Sequence, residues 1–308
     1  MTAVKASRNR PIRIKLDSRD RWFHLVNYVL LGLCILIIAV PLLHVISQSL
    51  SAPSDVLNGR VTFLPVNFTA STYGYVLRDK NIMSGYKNSL YYMTVGTLIS
   101  VVLTILAAYP LSRRDLFGRK VFLFLFTFTM LFGGGMIPTY LVVRQLKLID
   151  SIWALVLPNA INAYNIIIAR TFFQTSIPTE LYEAAEIDGA SDALVFFRVV
   201  MPLSASIVAV MVLLNAISLW NVYFDALIYL NTSSKYPLQM VLRNIMMSAQ
   251  VQSAMVEATG KVASAEMLAL TEALKYTTIV CASLPVLALY PFIQKHFTKG
   301  IMIGTLKG

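Results

Sequence analysis

Few side chains in this sequence are of a type that does chemistry, and their spacing decides what they could do. His24, His44 and His296 lie far apart and form no H-E-x-x-H arrangement; there is no G-x-x-x-x-G-K-S/T phosphate loop, no nucleophile elbow and no paired carboxylates. Cys34 and Cys281 give neither a disulfide framework nor metal-ligand spacing, and read as small apolar packing residues. The chain is therefore expected to be no enzyme and to hold no metal or cofactor of its own. Two groups of polar residues stand out instead. Asn159, Asn162 and Asn165, with Asn215, Asn221 and Asp225, interrupt apolar stretches, where a polar side chain costs enough to mark a functional candidate. With Trp220 and Tyr223 they suit a sugar path, since sugars bind through hydrogen bonds and flat aromatic faces; the alternative is hydrogen bonding between helices.

The second group is SIPTELYEAAEIDGASDALVFFRVVMPLS, polar and patterned in a chain that otherwise avoids polarity. Pro178 suits a first helical turn, and Leu181, Ala184 and Ala185 are expected to share a helical face. Asp188-Gly189 supplies the backbone freedom of a sharp turn. Ser191 and Asp192 then cap a second helix running through Phe196, Phe197 and Arg198. The expectation is a helix–turn–helix on a membrane surface.

The elements that must position these groups are membrane spans. Of the 308 residues, 57% are hydrophobic and 13% charged, against roughly 25% charged in soluble domains. Runs near the 20 apolar residues that cross a bilayer predict an all-α membrane protein with about six spans, at residues 23–46, 89–111, 121–143, 152–169, 199–230 and 276–293. The first run is too long for a cleaved signal peptide and reads as a retained anchor. Residues 47–88 read as a turn-rich loop with a short interfacial helix, and residues 231–275 as a polar segment. Gly133-Gly134-Gly135 reads either as a kink or as a close-packing patch.

The net charge of +11 sits mostly at helix ends. Arg and Lys crowd the N-terminal segment 1–22, the Arg113 to Lys120 loop and the end of the chain, with Lys295, Lys299 and Lys307. By the excess of basic residues in cytoplasmic loops, an even span count places both termini and residues 170–201 in the cytoplasm, with 47–88 and 231–275 outside. The spanning domain is then 23–298 and the cytoplasmic tail 299–308.

On the residues Glu183-Ala184-Ala185, Gly189, Val199, Met201 and Pro202, the chain resembles the permease subunits of binding-protein-dependent ABC importers. Their cytoplasmic signature is E-A-A, three residues, G, nine residues, I, one residue, L-P. Two aliphatic positions are conservatively replaced. The stretches FGGGMIPTYLVVRQLKLIDSIWALVLPNA and SLWNVYFDALIYLNTSSKYPLQMVLRNI narrow the resemblance to maltose-permease-like carbohydrate importers, in the group taking up polysaccharides or acidic oligosaccharides. Ser206, where many relatives have proline, makes the start of the fifth span straighter by expectation.

The resemblance implies a type I ABC importer permease fold in which the segment 176–202 is the coupling helix, docked in a cleft of the ATP-hydrolysing subunit through Glu183, Ala184, Ala185, Asp188, Gly189 and Pro202. It implies a second homologous permease, a homodimeric ATP-binding subunit that binds the ATP and Mg, an extracytoplasmic solute-binding protein and a bacterial inner-membrane location. It also implies an oligosaccharide cargo, such as alginate or aldouronate fragments. No nucleic-acid partner is implied. The end of the chain, KHFTKGIMIGTLKG, reads equally as an arm reaching the ATPase dimer or as a solvated tail. Competing readings are a peptide or ion importer of the same superfamily, and a secondary transporter, which would need buried ionisable relays where only Asp225 approaches one.

Overall fold

An apolar chain in lipid satisfies its backbone without water by forming helices. The computed structural model describes residues 18–259 and 265–305, and every regular element among them is helical. The expected basic segment lies outside the described residues up to position 17, as do positions 260–264 of the polar segment and the tail beyond 305.

Helix α1 (Ser18–Ser49) carries the first expected span. Two short helices, α2 (Pro53–Leu57) and α3 (Ser71–Arg78), fold the turn-rich stretch, and α4 (Lys80–Ser112) follows. Asp79 starts α4: its Oδ1 accepts the N–H groups of Asn81 at 2.7 Å and Ile82 at 3.0 Å. At 1.5 Å per residue α4 is about 50 Å long, well over the roughly 30 Å of hydrocarbon. Its polar first turns therefore extend the expected span 89–111 beyond the apolar layer.

The next segments are broken. Helices α5 (Arg119–Leu131) and α6 (Met136–Gln145) occupy the third expected span but meet at 112°. Gly135 turns the chain there at φ +84. A Cβ on Gly133 or Gly135 would meet nothing within 4 Å, so the glycine run bends the chain rather than packing it closely against the rest of this subunit. Residues 152–169 become α7 (Trp153–Val156), an irregular stretch containing Pro158, and α8 (Ala163–Ser176).

After α9 (Thr179–Ile187) come α10 (Asp192–Val195), a π-helical turn at Phe196–Val200, α11 (Met201–Leu203), α12 (Ala205–Trp220) and α13 (Phe224–Tyr229). Asp192–Leu203 meets α12 at 77°. The straighter start expected from Ser206 is thus corrected. The bend needs no proline at 206, because Pro202 already lacks an N–H and Ser204 leaves helical geometry at φ −98, ψ 13. The polar stretch 231–275 is mostly helix, formed by α14 (Leu238–Thr259) and the start of α15 (Ala265–Thr305).

Among the described residues, α1, α4 and α15 are long and apolar enough to cross a bilayer. The bent pairs raise that number to five if each is one span. The remaining expected span is the broken α7–α8 stretch.

Helix α4 is the centre of packing. It buries a stripe of small residues, Ser89, Gly96, Ser100, Thr104 and Ala108, which let neighbouring backbones approach closely where lipid offers no hydrophobic drive. A Cβ on Gly96 would stand 2.6 Å from Leu219 Cδ1 of α12. One on Gly85 would stand 3.1 Å from the Leu238 Cα, a backbone atom of α14. Since that backbone cannot swing aside, Gly85→Val is expected to destabilise the fold by about 1–3 kcal/mol. Gly74→Val, at an open position of α3, is the control. Thermal unfolding midpoints in detergent check this: equal midpoints for the two variants contradict the close approach.

Candidate coupling surface and polar path

The α9–α10 turn is built from its own backbone. Asp188 ends α9, and Gly189 takes φ +69. The Gly189 N–H donates to the Glu186 carbonyl at 3.0 Å and the Ala190 N–H to the Ala185 carbonyl at 2.9 Å, the paired bonds of a Schellman ending. Ser191 then caps α10, its Oγ accepting from the Leu194 N–H at 3.4 Å.

The expected shared face of Leu181, Ala184 and Ala185 is divided. Ala185, with Tyr182 and Ala190, packs inward against the buried Leu111, Phe173, Ile177, Val195 and Phe196 cluster. Leu181, Glu183, Ala184, Asp188 and Gly189 face outward with Ile187, which is 86% exposed; Pro202 is exposed as well. Neither Glu183 nor Glu186 has a hydrogen-bond or ion-pair partner among the described residues. The outward surface is therefore small, apolar at Ala184 and Ile187, and acidic at its edge.

Arg113 holds this module to the end of α4. Its Nε and Nη2 donate to the two oxygens of Asp115 at 3.1 and 3.2 Å, and its guanidinium carbon lies 4.4 Å from the centre of the Tyr182 ring. The hydrogen bond from Arg113 draws the Asp115 carboxyl below the usual carboxylate range. Burial pushes the Tyr182 hydroxyl up to about 12, so the ring stays neutral and can receive the cation. A groove of about 950 Å³ runs between this loop and α9, lined by Arg113, Arg114, Gln174, Thr179, Glu183 and Asp192 among others.

The polar residues of the apolar segments divide sharply. Asn159 Nδ2 donates to Asp225 Oδ2 at 2.7 Å, joining the break after α7 to the start of α13 across 66 positions of sequence. Asn221 and Tyr223 are exposed close by in sequence. Asn162 is exposed but caps α8, its Oδ1 accepting from the N–H groups of Tyr164 and Asn165 at 2.9 and 3.2 Å. Trp220 is a correction: it is 1% exposed, and its indole N–H donates to the Ala282 carbonyl at 3.1 Å, so it ties α12 to α15 and lines no path. Asn215 is buried and donates to the Met211 carbonyl within its own helix, and Asn165 is buried too.

Sequence reasoning missed a knot around Asp150, which takes φ +60. Its Oδ1 accepts the N–H groups of Asn231 and Thr232, both at 3.0 Å. Its Oδ2 accepts the Thr232 hydroxyl and the Lys235 ammonium, both at 2.7 Å. The hydrogen bond from Lys235, with those from Thr232, holds the carboxyl far below the usual range. The partners lie more than 80 positions away, so no local spacing could have signalled them. It missed Arg113 over Tyr182 for the same reason.

No family model matches the chain. Among known proteins it is similar to the polygalacturonan/rhamnogalacturonan transport system permease protein YtcP of Bacillus subtilis (strain 168), 43% identical over 291 residues that cover 94% of this chain and 100% of that one. Protein LplC of the same organism is 41% identical over 288 residues, covering 94% and 96%. A solved structure also matches, at a TM-score of 0.81 and 37% identity over 92% of this chain and 99% of the other. It is the crystal structure of a bacterial ABC transporter involved in the import of the acidic polysaccharide alginate. With relatives this similar along nearly its whole length, the chain belongs to the family of carbohydrate-type ABC importer permeases, as a transport subunit and not an enzyme.

Proposed function

We propose that the protein is one of two permeases of an importer that carries acidic oligosaccharides across the bacterial cytoplasmic membrane, with both termini in the cytoplasm. The observation that carries the cargo is that relatives similar over nearly the full length are named for polygalacturonan/rhamnogalacturonan transport and for import of acidic alginate. Its partners in this reading are a second homologous permease, a homodimeric ATP-binding subunit and an extracytoplasmic solute-binding protein. The outward face of α9, with Glu183, Ala184, Asp188 and Gly189, docks on the ATP-binding subunit. ATP binding closes that dimer and displaces α9. Because Ala185 and Tyr182 are packed against the end of α4, the displacement passes to the bundle and opens it outward. Hydrolysis resets it.

The substrate path in this subunit runs past Asn159, Asn221, Tyr223 and Asp225. Asp225 is a hydrogen-bond acceptor that suits sugar hydroxyls and repels a uronate carboxylate, and this favours a second reading in which the cargo is neutral. The two are separated by the ATPase activity of the reconstituted complex, with binding protein present, across neutral and uronate oligosaccharides. Stimulation by uronates is expected; stimulation by neutral sugars alone replaces the acidic reading, and by neither removes the carbohydrate one. With an acidic cargo, Asp225→Asn removes a like charge and is expected to leave uronate uptake undiminished; a fall of tenfold or more, worth about 1.4 kcal/mol, contradicts this placing of Asp225.

For the coupling face, Gly189→Val meets no steric obstacle, since an added Cβ finds nothing within 4 Å, but its left-handed backbone costs about 1–2 kcal/mol in a residue with a side chain. Uptake is expected to fall while the complex still assembles. Gly189→Asn, which tolerates that conformation, should retain more activity. Equal, undiminished uptake in both variants would remove the coupling role of this turn.

A further inference from the structure

Two arginines meet at the C-terminal end of α4, and no carboxylate of the described residues pairs with either. Arg119 Nε donates to the Leu111 carbonyl oxygen at 2.9 Å, and Arg170 Nε approaches the same oxygen at 3.4 Å. Both side chains belong to part-buried residues, and among the described residues neither has a carboxylate within ion-pair distance or a second hydrogen-bond partner. A guanidinium carries five N–H donors, so the described chain engages only a small part of their donor capacity. Two like charges drawn to one carbonyl oxygen repel each other, and a nearby anion would relieve that repulsion.

The bland explanation is that the arginines cap α4, whose C-terminus carries a partial negative charge. The magnitudes do not balance: a helix end supplies about half a charge, and two full positive charges face it. Arg119 is moreover the first residue of α5, followed by exposed Lys120, so two cations stand at a positive helix end, where anions are favoured. The local field asks for a negative group that the described chain does not supply.

The same helix indicates the kind of group. Phe117, 96% exposed, stands just before it, and from Val121 onward α5 exposes Val121, Phe122, Phe124, Leu125 and Phe128. Cations at one end of an exposed apolar face follow the order of a phospholipid, with phosphate above and acyl chains below. A free phosphate would use only the first half. We propose that Arg119, Arg170 and Lys120 form a headgroup site for an anionic phospholipid, whose chains lie along α5. The site needs the membrane-spanning fold but depends on no choice of cargo.

The test is native mass spectrometry of the assembled importer, released from nanodiscs of phosphatidylcholine mixed with phosphatidylglycerol. The wild-type complex is expected to retain phosphatidylglycerol selectively. The double variant Arg119→Gln/Arg170→Gln loses that selectivity roughly thirtyfold, as expected for two basic groups beside an anionic lipid. Arg119→Lys/Arg170→Lys keeps most of it, and Arg78→Gln, at an exposed position on α3, keeps all of it. Unchanged selectivity in the glutamine pair overturns the proposal. Displacement of the lipid by inorganic phosphate overturns it too, making this a free-anion site. Should the glutamine pair fail to assemble, the wild type decides with a photoreactive phosphatidylglycerol: crosslinks on α5 or α8 support the site, and their absence there overturns it.

Discussion

The structure depends on the close packing of a polar-edged, 33-residue helix that lipid alone would not hold in place. In a bilayer the hydrophobic effect does not distinguish a leucine against a neighbouring helix from a leucine against an acyl chain. What fixes α4 is its stripe of small residues and the backbone groups it satisfies at its ends. Near its start, Ser89 Oγ accepts the Leu238 N–H at 2.8 Å, Asn88 Nδ2 donates to the Ser234 and Tyr236 carbonyls, and the Tyr92 hydroxyl donates to the Lys235 carbonyl. Near its end, the Tyr109 ring packs 4.8 Å from that of Phe196, centre to centre. One continuous rod thus contacts the loop before α14 at one end and the segment that follows α10 at the other.

Beside this rod the third, fourth and fifth expected spans are broken, while α1 and α15 run on unbroken, and polar groups gather at two of the breaks. The interruption after α7 and the one between α12 and α13 meet at Asn159 and Asp225. Non-helical backbone at membrane depth persists only when buried in protein or lining a wet cavity. The Asn159–Asp225 hydrogen bond joins two such interruptions, and the path proposed above is the reading that meets the second condition. The two bends, 112° between α5 and α6 and 77° before α12, divide these segments into shorter pieces. A continuous α4 beside broken neighbours suits the mechanism proposed above, in which one element transmits displacement and the others accommodate it.

Much of this was legible in the sequence because it rests on local rules. The end of α9 could be read from Asp188-Gly189 and the cap of α10 from Ser191, since both involve bonds spanning only a few residues. Helical content in the apolar runs follows from backbone satisfaction alone. What was illegible rests on rotation and distance. Composition could not say that Ala184 faces outward while Ala185 faces inward, nor that Trp220 turns to the Ala282 carbonyl instead of toward a sugar. The bend before α12 has no signature at position 206: Pro202 and the non-helical geometry of Ser204 produce it without a proline there. Asp150 with Lys235, and Arg113 over Tyr182, are products of the fold and have no signature before it.

The two ends of α4 also differ in how their charge is settled. At the start of the rod, Asp150 and Lys235 neutralise each other and use their remaining capacity on backbone and hydroxyl groups, while Lys80 and Lys87 stay exposed. At the other end, Glu183 and Glu186 point outward without partners, and Arg119 and Arg170 share one carbonyl oxygen. In the readings proposed above, the acidic groups on α9 and the basic groups beside α5 address different neighbours: the carboxylates the ATP-binding subunit, the guanidiniums an anionic headgroup.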